Sequence, residues 1–237
     1  MIFSFQHIGK RDNQEDAYHI DAQKNLYIVC DGVGGMDAGE IASNKVIQYV
    51  TEHLSRYTLN PLCTNCIITA IKQAQSKLNE YVQNNPKANG TATTIALLYY
   101  HNGTAITAHS GDSKVIFAKK NGTGCWSTKD HSTVQELYDA DILKSEQEMK
   151  SHPLKNRITS AIIAGQDPAK VTIATHELQN IEQGDIFLLC TDGVLELYST
   201  EEISNIALSR DHKKYDGMSK FIQSTSKDNS TLILVEV

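Results

Sequence analysis

The chain has 237 residues, enough for one large domain with a buried core, and 40% of them are apolar. With 22 basic and 28 acidic residues the formal net charge is −6, and no basic block appears, which argues against nucleic-acid binding as the main activity. The N-terminus lacks the basic and apolar regions of a signal peptide, and no apolar run approaches the roughly 20 residues of a membrane span, so the chain is expected to be cytoplasmic.

In chain order, Ile2 to Gly9 alternates as a strand, and Ala17 to Ile20 reads as another. Leu26 to Cys30 is a short continuous apolar run, typical of a buried strand. It ends at Asp31-Gly32, and Gly34-Gly35 allow backbone angles closed to other residues. Two amphipathic helices follow. Ala38 to His53 turns Ile41, Val46, Ile47 and Val50 inward, and Thr64 to Val82 turns Ile67, Ile68, Ile71, Ala74 and Leu78 inward. Thr91 to Tyr100 predicts one long strand, and Asn102-Gly103 a hairpin turn into Ala105 to His109. Val115 to Ala118 is a further strand, and residues 131–156 are polar and helical in short pieces. Strands are expected at Val171 to Glu177, Asp185 to Cys190 and Leu232 to Val237, and helices at Ser199 to Ser209 and Lys214 to Ser224. With no linker and no internal repeat, this order predicts one domain over residues 1–237 in the α+β class, its sheets packed on each other with helices outside.

Of the five cysteines, Cys30 and Cys190 end apolar strands and read as small buried hydrophobes. Cys63-Thr-Asn-Cys66 has the spacing of half a zinc site or a redox pair, yet no second half matches it. The odd count and the cytoplasmic reading argue against a disulfide framework.

Four acidic motifs carry the chemistry: Arg11-Asp12-Asn13-Gln14-Glu15-Asp16, Asp31-Gly32-Val33-Gly34-Gly35, Thr191-Asp192-Gly193 and Asp228-Asn229-Ser230. Most sit where an apolar, strand-like run stops. Carboxylates gathered from distant places repel unless something positive sits among them. Hard oxygen ligands suit Mg²⁺ or Mn²⁺ far better than zinc. The chain therefore reads as a hydrolase with a carboxylate-bound metal centre.

Together with Gly90-Thr-Ala-Thr-Thr94, Ser110-Gly-Asp-Ser113 and Lys129-Asp-His-Ser132, these motifs run in an order that resembles the PPM family, the metal-dependent Ser/Thr protein phosphatases of type 2C, in its bacterial form. A single Asp-Gly would carry no weight, since such pairs are common turn formers. The ordered set spans nearly the whole chain. The resemblance implies a central β-sandwich of two antiparallel sheets flanked by helices on both sides, with a metal centre in a cleft at one end.

It also implies two ions, Mn²⁺ or Mg²⁺. Asp31 would bridge them. The Gly32 carbonyl would ligate one ion, directly or through water, with Asp192 and Asp228 completing the other ion's protein ligands. Glu15 would reach the second ion, with Asp16 in or just behind its ligand shell. Asp112 is implied for a third, weaker ion, although Ser-Gly-Asp-Ser also suits a plain hairpin turn. Arg11, with Asp31 and Asp192, is assigned to catalysis, because its planar fork matches two phosphate oxygens; alone it would read as a surface arginine.

Asp130-His131-Ser132 is read as structural, with Ser132 capping a helix over Thr133 to Asp139. Three positions depart from the family pattern. Val33 stands where eukaryotic members carry a histidine proposed as proton donor, Gln14 where Asn is commoner, and Ser160 where many bacterial members carry an arginine. The implied activity is hydrolysis of phosphoserine and phosphothreonine in targets of a Ser/Thr kinase. The enzyme would be a monomer, with no nucleic-acid or membrane partner, and residues 133–156 would form a flap setting substrate choice. The alternative is a pseudophosphatase acting as a binding module; the presence of every core carboxylate argues against it.

Overall fold

The structure is a computed structural model and describes residues 1–34, 38–57 and 61–237. Gly35, which closes the Asp31 motif, lies outside the described residues. The chain begins with β1 (Ile2–His7), β2 (Ala17–Asp21), β3 (Leu26–Cys30) and the short β4 (Gly32–Val33). Two long helices follow, α1 (Ala38–Leu54) and α2 (Thr64–Asn84). Next come β5 (Ala92–Thr93), β6 (Ile95–His101), β7 (Thr104–Ser110), β8 (Lys114–Ala118) and β9 (Cys125–Ser127). The polar region holds α3 (Thr133–Asp139) and α4 (Glu146–Ser151). The chain then runs through β10 (Ile162–Ile163), β11 (Ala174–Leu178), β12 (Ile186–Cys190), α5 (Asp192–Leu195), α6 (Thr200–Leu208), α7 (His212–Thr225) and β13 (Ser230–Glu236).

One five-stranded sheet has the order β1-β13-β12-β8-β9, and the other β11-β7-β6-β3-β2. Every pairing is antiparallel. The apolar runs explain the stacking. A strand buried on both faces needs apolar residues at odd and even positions alike. In β12, Phe187 and Leu189 enter the core between the sheets with Val29, Leu98, Val115 and Ile233, while Ile186 and Leu188 face α6 and α7. In β3, Tyr27 and Val29 point between the sheets, and Leu26 and Ile28 pack under α1 and α2. Helix layers on both outer faces complete the predicted α-β-β-α arrangement. Among the described residues no helix is long and apolar enough to cross a membrane.

Two expectations are corrected. Thr91 to Tyr100 is not one strand: β5 pairs with β4 and β10 in a small separate sheet, and β6 starts only at Ile95. The break falls at Thr94, whose backbone N–H donates to the Asp31 carbonyl (2.8 Å) while its hydroxyl accepts from the Asp31 N–H (2.9 Å). Those bonds take Thr94 out of a regular ladder. The second correction concerns Cys63 and Cys66, which form a disulfide with Cα atoms 5.1 Å apart.

Candidate active site

The sheet registers bring the acidic motifs to one end of the sandwich. Cys190 of β12 faces both Leu232 and Lys114, His7 faces Ser230, Ala17 faces Cys30, and Ile95 faces Ser110. Asp31 and Asp192 therefore leave their strands, Asp16 and Asp228 approach theirs, and Asp112 joins β7 to β8, all at the same end. Asp192 does not sit in a simple turn: it opens α5, a one-turn helix absent from the sequence reading.

Backbone clamps hold this end together. Asn229 is the main tie: its side-chain oxygen accepts from the Glu15 N–H (2.7 Å), and its amide donates to the carbonyls of Ile8 (2.9 Å) and Asn13 (3.0 Å). One buried side chain thus fixes the whole Arg11–Asp16 segment against the approach to β13. The Gly32 N–H donates to the Glu15 carbonyl (3.1 Å), and Thr93 donates its hydroxyl to the Asp31 carbonyl (2.9 Å). Two glycines permit the approach. A Cβ on Gly32 would lie 2.2 Å from the Gly39 carbonyl oxygen, and one on Gly193 would lie 2.0 Å from that of Asn229. Asn229, Thr93, Thr94, Thr191 and Thr231 are not among the expected site residues; Asn229 and Thr191 lie inside acidic motifs, Thr93 and Thr94 in the Gly90-Thr-Ala-Thr-Thr94 motif, and Thr231 just past Asp228-Asn229-Ser230.

Asp16 is 3% exposed, and its Oδ2 accepts from the hydroxyls of Thr231 (2.7 Å) and Thr191 (2.8 Å), while Oδ1 is buried with no hydrogen-bond partner. Burial pushes its carboxyl up to about 7 against the pull of both threonines, and Asp228 and Glu15 push the same way. Asp31 is raised well above the carboxylate range by burial and by the charges of Asp16, Asp192 and Asp112. Asp192 is raised to about 6 by burial and Asp228, while a hydrogen bond from Asp31 holds it down. The hydrogen bond between the two carboxyls thus raises Asp31 and lowers Asp192. Asp112 is raised to about 7 by burial, Asp192 and Asp130. Lys114 pairs with Asp130 beside it.

Arg11 donates to Asp228 at 2.6 Å, and this pairing raises its own pKa further. As they stand, no three His, Cys, Asp or Glu side chains among the described residues converge into a ready metal cage. Instead, the Arg11 guanidinium pairs with Asp228, while burial and mutual repulsion push Asp16, Asp31, Asp112 and Asp192 towards their neutral forms. The set still fits a hard divalent cation: every donor is oxygen, burial disfavours the unpaired charges, and the Asp16 Oδ1 is orphaned. The structure brings Glu15, Asp16, Asp31, Asp112, Asp192 and Asp228 into mutual electrostatic reach, with Arg11 at the rim.

His131 ties the loop before α3 to the core, its N–H donating to the Gly111 carbonyl (2.9 Å) and its Nδ1 accepting from the Gly111 N–H (3.3 Å). Ser132 caps α3 by accepting from Gln135. Ser160 bonds to the Ser110 hydroxyl (3.0 Å) and to the backbone of Thr172. Val33 is 47% exposed and carries no proton to give.

The protein phosphatase 2C family model matches residues 5–230. The chain belongs to the protein phosphatase 2C family. It is 30% identical over 213 residues to the protein phosphatase PhpP of Streptococcus pneumoniae, covering 84% of this chain and 80% of that one. It is 29% identical over 193 residues to the Ser/Thr phosphatase PstP of Mycobacterium tuberculosis; the match covers 81% of this chain but spans only 36% of the longer PstP. Among solved structures, the type 2C fold recurs in the Streptococcus agalactiae Ser/Thr phosphatase, with TM-score 0.83 and 27% identity over 100% of this chain and 99% of that one. The PstP catalytic domain solved with two manganese ions has TM-score 0.80 and 24% identity over 100% and 97% of the two chains, a likeness of fold.

Proposed function

We propose that this type 2C protein is a metal-dependent phosphatase of phosphoserine and phosphothreonine in proteins, working with two Mn²⁺ or Mg²⁺ ions. The observation that carries the reading is the convergence of Asp16, Asp31, Asp112, Asp192 and Asp228 at one end of the sandwich, where the family motifs meet and the buried Asp16 Oδ1 has no partner. Asp31, Asp192, Asp228, Glu15 and the Gly32 carbonyl would hold the two ions, with Asp16 bracing them and Asp112 serving a weaker third. When bound, two such ions lower the pKa of a shared water and neutralise charge on the phosphoryl oxygens.

The chain's own groups do the rest. The Arg11 fork turns outward at the rim, where it would orient two oxygens of the phosphate. The carboxylates would hold the ions in their ionised form, so metal binding would be coupled to loss of protons from this cluster. Val33 cannot protonate the leaving oxygen, so that proton would come from a water or another group at the site. Of the region 133–156, Glu136 and Asp139 of α3 line, together with Lys129, Asp130 and His131, a cleft of about 570 Å³ that would take the peptide flanking the phosphoresidue. Substrates are then targets of a Ser/Thr kinase.

The test is turnover of p-nitrophenyl phosphate and of a phosphothreonine peptide. EDTA should abolish it and Mn²⁺ restore it. Asp192→Asn should cost about 10²-fold or more in kcat while the protein stays folded, as expected when a main charge-stabilising group is lost. Full turnover in excess chelator would overturn the two-ion reading, and no turnover at any Mn²⁺ concentration would leave a pseudophosphatase.

A further inference from the structure

We propose that Cys63 and Cys66 form a reversible dithiol–disulfide site that exchanges with external thiols, with Cys63 as the sulfur they attack. The pair stands apart from the phosphatase site. Leu62 donates its N–H to the Tyr99 hydroxyl (3.2 Å), and Tyr99 faces Leu26 at the far end of β6, opposite the end that carries the carboxylates.

The local geometry suits exchange. Cys63 is the N-cap of α2, a helix of 21 residues, and its backbone is extended with φ −111° and ψ 161°. Its Sγ accepts from the Cys66 N–H at 3.2 Å, and its carbonyl accepts from the Ile67 N–H at 3.1 Å. The positive end of the helix favours a thiolate at that position, and the first turn carries no acidic residue. Glu177 accepts from the Thr64 hydroxyl in the first turn. Cys63 is exposed and Cys66 half-buried, so an incoming thiol reaches Cys63 first. The anchors at Leu62 and Thr64 tie the start of α2 to β6 and β11.

The remaining cysteines show what such a site is not. Cys30 and Cys190 are fully buried, and burial pushes both thiols up, away from the reactive thiolate. Cys125 is exposed but has no cysteine partner, and its sulfur lies 3.4 Å from the Ser204 hydroxyl.

The exchange balances with a dithiol as reductant. Its thiolate attacks the Cys63 sulfur, the Cys63–Cys66 bond breaks, and Cys66 leaves as a thiolate that takes up a proton. The second thiol of the reductant then attacks its own sulfur in the mixed disulfide and releases Cys63. Two electrons and two protons pass to the pair, and a disulfide forms on the reductant. Oxidised glutathione drives the reverse course through a glutathione adduct.

The experiment uses the full chain carrying Cys125→Ser. The protein is equilibrated with oxidised or reduced glutathione, or with reduced thioredoxin as a protein dithiol. It is then alkylated and mapped by mass spectrometry. Both thiols of the peptide carrying residues 63 and 66 should lose alkylation together on oxidation and regain it on reduction. With Cys66→Ser added, Cys63 should trap a mixed disulfide, forming about tenfold faster than any adduct on Cys125 in the native chain. A glutathione adduct in the trapping variant identifies small thiols as partner, and a thioredoxin cross-link identifies a protein dithiol; either supports the site. Circular dichroism confirms that the variants fold, and the native chain gives the alkylation readout without any substitution at the pair. If both cysteines stay alkylatable after oxidised glutathione, or if Cys66→Ser traps no more adduct than Cys63→Ser, the proposal is wrong.

Discussion

Arg11 bonds Asp228 through one nitrogen while its side chain stays 58% exposed, so a phosphate can take the open edge of the guanidinium. An ion pair that exposed contributes less than about 1 kcal/mol to stability, so folding alone gives little reason for it. Arg11→Ala should raise KM and lower kcat/KM by about tenfold or more, with the Mn²⁺ requirement nearly unchanged; Arg11→Lys should recover only part, because a point charge cannot replace the fork. Steady-state kinetics identical to the parent would return Arg11 to a mere partner of Asp228. Asp112 makes a different prediction. Its carboxyl is raised to about 7 by burial and by Asp192 and Asp130, so its charge is unwelcome without a cation. Asp112→Ala should leave the chelated protein as stable as the parent or more so, while lowering turnover and shifting the Mn²⁺ titration to higher concentration. A titration curve that does not move would make Asp112 a turn residue.

Among the elements, the one-turn helix α5 is set by its contact with the approach to β13. Gly193 meets the Asn229 carbonyl so closely that a Cβ has nowhere to go, and the obstruction is backbone. Gly193→Ala should therefore destabilise by roughly 3 kcal/mol or more, as overpacking against backbone does, and should displace Asp192 with it. Urea unfolding and turnover should fall together; an undisturbed midpoint would mean that α5 is free to shift. The same scale shows what was legible. Helices α1, α2, α6 and α7 announced themselves by apolar spacing, and the structure adds a capping box between Ser199 and Glu202 at the start of α6. The pattern placed Ile68 inward, yet it is half-buried, and the polar Gln75 is buried because its amide donates to the Ile163 carbonyl at 2.7 Å. The pieces β4, β5, β10 and α5 are too short to show any period. Their boundaries come from hydrogen bonds to residues far along the chain.

For the whole molecule, the gathered carboxylates tie stability to pH and metal. Asp16, Asp31, Asp112 and Asp192 all have folded-state pKa values above their ordinary ones, so the chelated protein binds more protons folded than unfolded. Their contribution is therefore full in acid and is lost as pH rises through about 6 to 7. His109 works against this, since burial lowers it to about 4 and its contribution is lost as pH falls below the ordinary histidine range. In EDTA, Tm should thus rise by of order 5 °C as pH falls from 8 to about 5, with His109 taking back part of the gain below the ordinary histidine range. Saturating Mn²⁺ should flatten that rise, because bound ions replace the protons. A chelated protein whose Tm is flat or falls over this range would show that the acidic groups are ionised and paired in some other way.

The sequence by itself determined the sandwich, because strands apolar at every position must be covered on both faces, and it named the acidic residues, because carboxylate, glycine and strand end recur together at Asp31 and Asp192. Only the tertiary structure decided how they meet. Asp16 and Asp228 lie 212 positions apart in the chain, and nothing local says that they repel each other at one site. That follows from the antiparallel registers and from Asn229, whose three hydrogen bonds join the two ends of the chain. The disulfide has the same character: the spacing of Cys63 and Cys66 permits a bond, but whether the sulfurs face each other depends on the N-cap conformation at the start of α2. Periodicity reports which face of an element is covered; the partner across a cluster is set by packing, and packing is a property of the whole chain.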